Sequence, residues 1–287
     1  MTTTTGMLSP DRPAAVADAT DPAAPKRRRG SPVWWFVLVV GVTYFAVPLI
    51  ATFQFSLGTK VPLAAYSRVL SDPTFWSSLG YSALCAVLTI LFSVALIVPT
   101  AFWVRLRVPR MRPVIEFVTL MPFVIPPVVL VFGLIRVYSG QPLPLTSTDI
   151  GSNVLLIAAY VVLSLPYMYR SVDTGLRAID IRSLTEAAQS LGAGWPTIIV
   201  RIILPNVRVA VLSGAFLTFA IVLGEYTIAN FLFRPAFGPY LSYLGNHKTY
   251  EPAAVSLISF GLTWLAMAMI AVVGRKSRGR VTVVAVK

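Results

Sequence analysis

Apolar residues follow one another in six long stretches, and polar residues are mostly confined to the connections between them. Each stretch is long enough to cross roughly 30 Å of membrane hydrocarbon as a helix. Tryptophan and tyrosine fall mainly near the ends of these stretches, as amphipathic rings do at membrane–water interfaces. The pattern therefore predicts an all-α, polytopic membrane protein with six transmembrane helices. The six segments are 32–54, 79–104, 114–138, 153–169, 205–233 and 254–274.

Positive charges are unequally divided between the two sides of the predicted membrane. One side carries only five of the 24 lysines and arginines, and the other side carries the remaining 19. Because lysine and arginine accumulate in cytoplasmic loops, the richer side is predicted to be cytoplasmic. Both termini and the connection between the fourth and fifth segments then lie in the cytoplasm. The five residues of the outer side are Lys60, Arg68, Arg136, Arg234 and Lys248.

The two ends of the chain are predicted to be cytoplasmic tails. Residues 1–31 are rich in Thr, Ala, Pro and Asp, so they carry too little apolar surface to fold, and we predict that they are disordered. A cleaved signal peptide is the alternative, but the apolar stretch from Val33 is too long for a signal core. A transmembrane permease domain is predicted over 32–274, followed by a basic tail over 275–287.

Composition excludes several classes of function. Only 12% of the residues are charged, against about 25% in soluble domains. The net charge of +13 comes from short loops beside apolar segments, which indicates membrane topology rather than nucleic-acid binding. Cys85 and His247 are the only residues of their types, which excludes a disulfide framework and a His-Glu-x-x-His zinc site. No Gly-x-x-x-x-Gly-Lys-Ser/Thr loop is present to hold ATP.

The polar connection at about 183–205 has an unusual pattern. Good helix formers fill 186–191, and two glycines and a proline then break the helix. Isoleucines recur at helical spacing over 198–203, and Pro205 suits the first turn of a further helix. A helix, a turn and a second amphipathic helix are therefore predicted. The breaking residues are Gly192, Gly194 and Pro196.

This connection resembles the cytoplasmic loop of the permease subunits of bacterial type I ATP-binding-cassette importers. The pattern in that family is Glu-Ala-Ala, three residues, Gly, nine residues, Ile, one residue, Leu-Pro. All seven fixed positions are met here, and the matching residues are Glu186, Ala187, Ala188, Gly192, Ile202, Leu204 and Pro205. The resemblance implies that the loop, with Gly194, Trp195 and Pro196, forms the coupling helix that docks into a cleft of the ATPase.

The resemblance, which covers about 72–274, also implies a fold and a set of partners. The fold would be that of a type I importer permease, in the inner (plasma) membrane of a bacterial cell. The chain would be half of a permease, completed by a second permease subunit that is expected to be a different chain. Two ATPase subunits would carry ATP and Mg, and an extracytoplasmic solute-binding protein would deliver the solute. No cofactor or metal on this chain and no nucleic-acid partner are expected.

The substrate is predicted less sharply than the class of transporter. The stretch Leu-Gly-Glu-Tyr-Thr-Ile at 223–228 is most similar to the second permease subunit of spermidine/putrescine-type importers, which implies a polyamine. A sugar, phosphonate, thiamine or inorganic ion stays an alternative. A secondary transporter without an ATPase would need inverted repeats, and no repeat is visible. An intramembrane enzyme would need a catalytic set that the residues do not provide.

Glu225 is an acidic residue inside the fifth apolar segment. Because an ionised carboxylate is costly in hydrocarbon, such a residue usually faces a bundle interior, a partner or water. We predict that Glu225, Tyr226, Thr227 and Asn230 line the translocation path and favour a cationic substrate. The alternative is that Glu225 pairs with an arginine or caps a helix that is broken beside Gly224.

Three further local features are predicted. Pro122 and Pro126 are expected to kink the third segment, and Pro166 the fourth, either as a gate or as static packing. Trp195 with its neighbouring proline is expected to form an apolar knob, for a partner's groove or for lipid headgroups. A short amphipathic helix is expected in the outer connection 58–74.

Overall fold

The structure is a computed structural model, and it describes residues 32–61 and 63–276. The predicted tail 1–31 and most of the predicted basic tail, from residue 277, lie outside these residues. The described residues form helices and connections without a strand. The helices are α1 Pro32–Ser56, α2 Ala64–Leu70, α3 Pro73–Leu106, α4 Arg112–Val124, α5 Pro127–Tyr138, α6 Asp149–Arg177, α7 Ile181–Ser190, α8 Trp195–Asn206, α9 Arg208–Gly224, α10 Thr227–Phe231, α11 Phe237–His247 and α12 Glu251–Lys276.

The chain divides into two units, 1–48 and 49–287. The described part of the first unit is the helical stretch from Pro32 to Pro48. In the second unit α3, α6 and α9 pack most extensively on one another, α4 packs on α6, and α12 packs on α2 and α11. The second unit therefore contains the bundle that positions the candidate site.

The apolar helices match the predicted segments only in part. Within the described residues, three helices are long and apolar enough to cross a membrane, namely α1, α3 and α6. Two bent pairs, α4 with α5 and α8 with α9, raise this number to five if each pair is one span. The sixth predicted segment, 254–274, lies within α12. The prediction of six spans with both termini in the cytoplasm stays a prediction.

The third predicted segment is two helices rather than one. The pair breaks at Ile125 and Pro126, and the helix axes bend by 98°. Two successive prolines cause the break, because a residue that precedes proline is pushed out of the helical region. Ile125 has ψ 113° and Pro126 has ψ 140°, so both are extended. Pro122 lies inside α4, one turn before the break.

The predicted fifth segment, 205–233, is not one continuous helix. The axes of α8 and α9 differ by 80° across Val207. α9 then ends at Gly224, and the extended backbone of Glu225 separates it from α10. Gly224 and the polar residues after it do not favour the continuation of a helix, so the structure shows the break beside Gly224 that the sequence left as an alternative.

Three clusters of buried side chains hold the second unit together. The end of the bundle that carries α7 and α8, which we call the loop end, has a core around Phe102, Leu176 and Ile198. The other end, which we call the far end, has one core around Tyr160 and Ile228 and a smaller one around α11. Gly214 allows α9 to approach α6 closely, because a Cβ there would lie 2.9 Å from the sulfur of Met168. This close contact joins two helices that flank the candidate site.

The outer connection contains the predicted short helix. Its helix α2 buries Ala65 and Val69, and Tyr66 shares a 2.7 Å hydrogen bond with Ser56. Arg68 pairs with Glu251 at the start of α12, at 2.6 Å. These contacts fix α2 at the far end of the bundle.

Candidate functional site

The predicted coupling loop begins with an amphipathic helix. α7 starts five residues before Glu186, because Asp180 caps it: the Asp180 carboxylate accepts the backbone N–H of Ser183 at 3.2 Å and its hydroxyl at 2.6 Å. These hydrogen bonds hold the pKa of Asp180 below its usual value. Ile181 and Ala188 are buried, whereas Glu186 and Ala187 are exposed. α7 therefore packs on the bundle with one face and presents the other outward.

α7 ends in a defined turn at Gly192. The N–H of Ala193 donates to the carbonyl of Ala188 at 3.0 Å, and the N–H of Gly192 donates to that of Gln189 at 2.9 Å. This is the Schellman pattern, in which one residue adopts the left-handed conformation that glycine favours. Gly192 has φ +78°, and space for a side chain is open around it. Glycine is therefore required here by the backbone and not by crowding.

Leu191 lies at the tip of this turn and was not singled out from the sequence. Its side chain is 89% exposed, although leucine has no polar group to solvate. Glu186 pairs with Arg182 at 3.3 Å, and both side chains are exposed. The signal for Leu191 is present in the sequence, since it is an apolar residue between a polar helix and a glycine turn.

Trp195 does not form the predicted apolar knob. Its ring lies 4.6 Å from the ring of Trp103 and 6.3 Å from that of Phe102, measured between centroids. The guanidinium of Arg107 lies 5.3 Å from the Trp195 centroid, in the range of a cation–π contact. Trp195 is therefore half-buried against the end of α3, while Pro196 is exposed. The sequence did not indicate this because the contact joins residues that are far apart in the chain.

α8 anchors the second half of the loop. It is π-helical over Ile198–Ile203, and Ile198 and Ile203 are fully buried in the loop-end core. Ile202 and Leu204 are half-buried, and Gly194 and Pro205 are exposed. Gly194 precedes the first turn of α8 with φ −77° and ψ 162°, a conformation open to any residue. Every matched position of the loop is thus placed on α7, on its turn or on α8.

A pocket of about 490 Å³ lies between the two helix breaks. The break between α4 and α5 lines it with Phe123 and Pro126, and α6 contributes Leu163 and Tyr167. Residues 224–227 line the opposite side, so Glu225, Tyr226 and Thr227 are at the pocket. Asn230, which was predicted beside them, lies about one turn further along α10 and is not among the lining residues.

The Glu225 carboxylate is hydrogen-bonded to groups of the chain itself. It accepts the backbone N–H of Ile228 at 2.8 Å, the N–H of Ala229 at 3.2 Å and the hydroxyl of Tyr160 at 3.1 Å. The residue is 9% exposed. The structure therefore shows the capping alternative, because the carboxylate satisfies free N–H groups at the start of α10. Arg234 pairs with Asp149 at 2.9 Å instead, and Arg136 is exposed on α5.

The predicted kink residues lie in different settings. Pro126 is at the 98° bend between α4 and α5, and Pro122, inside α4, lines the pocket between the helix breaks. Pro166 is buried within α6, which continues for three further turns to Arg177. Pro166 therefore does not divide the fourth segment.

A buried carboxylate at the loop end organises arginines from three parts of the chain. Asp173 on α6 accepts from Arg105 at 2.8 Å, from Arg112 at 3.4 Å and from Arg177 at 2.6 Å. Glu116 on α4 adds a 2.8 Å bond with Arg112. From the sequence, these arginines were expected only to mark the cytoplasmic side of the membrane. In the structure the Asp173 side chain, which is 7% exposed, holds them together. The sequence signal that was missed is an acidic residue one turn before Arg177.

The chain is similar in sequence to a known family and in fold to solved structures. Residues 97–279 match the family described as binding-protein-dependent transport system inner membrane component. A probable ABC transporter permease of Sinorhizobium fredii is 31% identical over 85% of this chain and 45% of its own length. A probable molybdenum ABC transporter permease of Haloferax volcanii is 35% identical over 50% of this chain and 54% of its own length. The chain thus spans about half the length of these relatives.

More distant matches extend the comparison. The spermidine/putrescine transport system permease PotB of Haemophilus influenzae is 26% identical over 55% of this chain and 57% of its own length. Among solved structures, a bacterial ABC transporter for import of the acidic polysaccharide alginate has a TM-score of 0.64. It is 14% identical and covers 87% of this chain and 96% of its own. At that identity the likeness concerns the fold.

Proposed function

Since the chain belongs to the family of binding-protein-dependent transport system inner membrane components, we propose that it forms half of the translocation path of an ATP-driven importer. A separate ATPase would dock on the loop of α7, its glycine turn and α8. The observation that carries this proposal is the Schellman turn at Gly192, which presents an exposed leucine next to an exposed helix face. An exposed apolar tip on a rigid turn is suited to a partner's cleft.

The packing of the loop supports a role in transmitting motion. Ile198 and Ile203 bury α8 in the loop-end core, and Trp195 stacks on the end of α3. α8 leads directly into α9 at an 80° bend. A displacement of the docked tip would therefore move α3 and α9 together, because packed side chains transmit displacement with little compression. ATP binding by the partner would in this way change the exposure of the pocket between the helix breaks.

The pocket supports a path for a small solute. It is open on one side, and its lining includes backbone that has left the helical conformation at Ile125 and at Glu225. Such backbone is tolerated at membrane depth where it faces protein or a water-filled cavity. A second permease subunit would close the open side. A solute-binding protein at the far end is supported by a similar structure, which contains an alginate-bound periplasmic protein.

The geometry does not favour a cation as the solute. The hypothesis that Glu225 favours a cationic substrate needs a carboxylate that faces the solute, but the carboxylate accepts hydrogen bonds from three donors of the protein. The similar proteins include molybdenum, spermidine/putrescine and ferric permeases, so they do not single out a polyamine. We therefore propose import of a small solute and not specifically of a polyamine.

Photo-cross-linking from the loop tip tests the docking proposal. In a Cys85→Ala background, Leu191→Cys labelled with benzophenone maleimide should cross-link, in native membranes, to a protein that contains a Gly-x-x-x-x-Gly-Lys-Ser/Thr loop. We expect this cross-link because Leu191 is 89% exposed at the tip of the loop. Mass spectrometry of the adduct identifies the partner, and added ATP should change the adduct yield.

Ile150→Cys is the matched control for this experiment. Ile150 is 79% exposed but lies at the start of α6, at the far end of the bundle. It should give no adduct with the ATPase. Equal adducts from both positions, or none from Leu191→Cys, would contradict docking at the loop.

A further inference from the structure

Two pockets follow each other along α4 and α6, and we call the path through both of them the groove. The pocket between the helix breaks is lined by Leu163 and Tyr167 of α6, and a second pocket of about 500 Å³ is lined by Arg170, Thr174 and Arg177. These five positions are spaced by three and four residues, so they form one stripe on α6. From α4, Phe123 lines the first pocket, and Thr119 and Glu116 line the second. The second pocket therefore continues the first toward the loop end.

An aromatic pair separates the two pockets. The rings of Phe123 and Tyr167 meet edge to face, with centroids 5.2 Å apart. Both residues line the first pocket, and their neighbours Leu120 and Arg170 line the second. A solute that moves along the groove would pass this pair before it reaches the arginines.

The loop-end pocket carries more positive than negative charge. Arg112, Arg170 and Arg177 line it together with Glu116 and Asp173. The Asp173 carboxylate pairs with three arginines, and Glu116 forms an ion pair with Arg112. Arg170 is exposed in the pocket and forms no ion pair with any residue that the structure describes. The guanidinium of Arg170 is therefore available to a ligand.

We propose that the groove conducts a small oxyanion and that Arg170 binds it at the loop end; this inference rests on the proposed importer function. A guanidinium offers paired N–H donors that match two oxygens of a tetrahedral oxyanion. A cation in the same pocket would be repelled by the surplus arginine charge. Arg170 lies two turns before the end of α6 and lines the pocket, so its guanidinium can reach a solute there.

Uptake measurements test the charge of the solute. Cells with and without this chain would be given labelled molybdate, sulfate, phosphate, putrescine and spermidine. We expect oxyanion uptake that requires the chain and that falls about tenfold in Arg170→Gln, because a tenfold loss corresponds to about 1.4 kcal/mol, near the lower end of what a hydrogen bond to a charged group contributes. Arg112 and Arg177 are unsuitable for this test because they hold Asp173.

Arg110→Gln is the matched control. It removes the same charge from an exposed residue at the loop end, outside the residues that line the groove. Oxyanion uptake should stay within twofold of the unaltered chain, roughly the scatter of a surface change. An equal loss in both variants would overturn a role for Arg170 beyond net charge. Chain-dependent uptake of polyamine alone, or of no oxyanion, would overturn the proposal while ATPase cross-linking to Leu191→Cys would still support the importer.

A phosphate group of a lipid has the same chemistry as a free oxyanion. The complete transporter would therefore be reconstituted in phosphatidylcholine vesicles with and without phosphatidylglycerol. If Arg170 binds the transported oxyanion, Arg170→Gln should lower oxyanion uptake equally in vesicles with and without phosphatidylglycerol. A defect confined to vesicles with phosphatidylglycerol would assign Arg170 to a headgroup and overturn conduction of the anion.

Discussion

Gly192→Val is expected to lower the amount of ATPase retained on washed membranes about tenfold. Gly192 has φ +78° at the turn that presents Leu191. A left-handed conformation costs about 1–2 kcal/mol for residues with a Cβ, and most for β-branched ones. The turn would therefore rearrange and misplace the leucine tip. Quantitative mass spectrometry of the ATPase in the membranes measures the effect, and solute uptake should fall with it.

Gly194→Val is the matched control in the same loop. Gly194 has φ −77°, where valine is unstrained, and a Cβ there would be no closer than 4.0 Å to Pro196. The added bulk is the same, so only the backbone conformation differs between the two variants. Equal retention of the ATPase in Gly192→Val and Gly194→Val would show that the turn does not position the docking surface.

Glu225→Ala is expected to destabilise the segment around α10 by about 3 kcal/mol. It removes the acceptor of two backbone N–H groups and of the Tyr160 hydroxyl. Each buried donor left without a partner costs roughly 1–3 kcal/mol. Hydrogen exchange of the amides of Ile228 and Ala229 should become roughly a hundredfold faster, the rate change that corresponds to this free energy. Exchange measured on the detergent-purified protein checks the prediction.

Two conservative variants separate capping from selection of a cation. Tyr160→Phe removes one donor and leaves both N–H bonds, so exchange at these amides should change little. Glu225→Gln retains one acceptor oxygen, so the exchange rate of these amides should lie between that of the unaltered chain and that of Glu225→Ala. Unchanged exchange in Glu225→Ala, together with loss of cation uptake in Glu225→Gln, would contradict capping and restore a cationic substrate.

The predictions that succeeded depend on neighbours in the sequence. The glycine turn at Gly192 is confirmed, because a left-handed residue after a helix is a local requirement. The bend at Pro126 follows from two successive prolines. The short outer helix α2 is confirmed on the same basis, from an amphipathic pattern before a long apolar segment.

The predictions that failed depend on contacts between distant segments. Trp195 packs on α3 and Asp173 gathers arginines from α3 and α4, and neither contact leaves a pattern within one segment. The bend at Val207 was missed for a different reason. Apolar content alone cannot distinguish one helix from two when both are apolar, whereas the break beside Glu225 was an open alternative because Gly224 precedes it.

The central claim is that this chain is part of an ATP-driven importer. It is tested most directly by measuring which energy source drives solute uptake. The complex purified through this chain would be reconstituted in vesicles with ATP trapped on the side of the loop, and ionophores would abolish ion gradients. The account predicts solute accumulation that requires ATP and this chain and that persists without gradients. Accumulation that follows a proton or sodium gradient and ignores ATP would contradict it and indicate a secondary transporter.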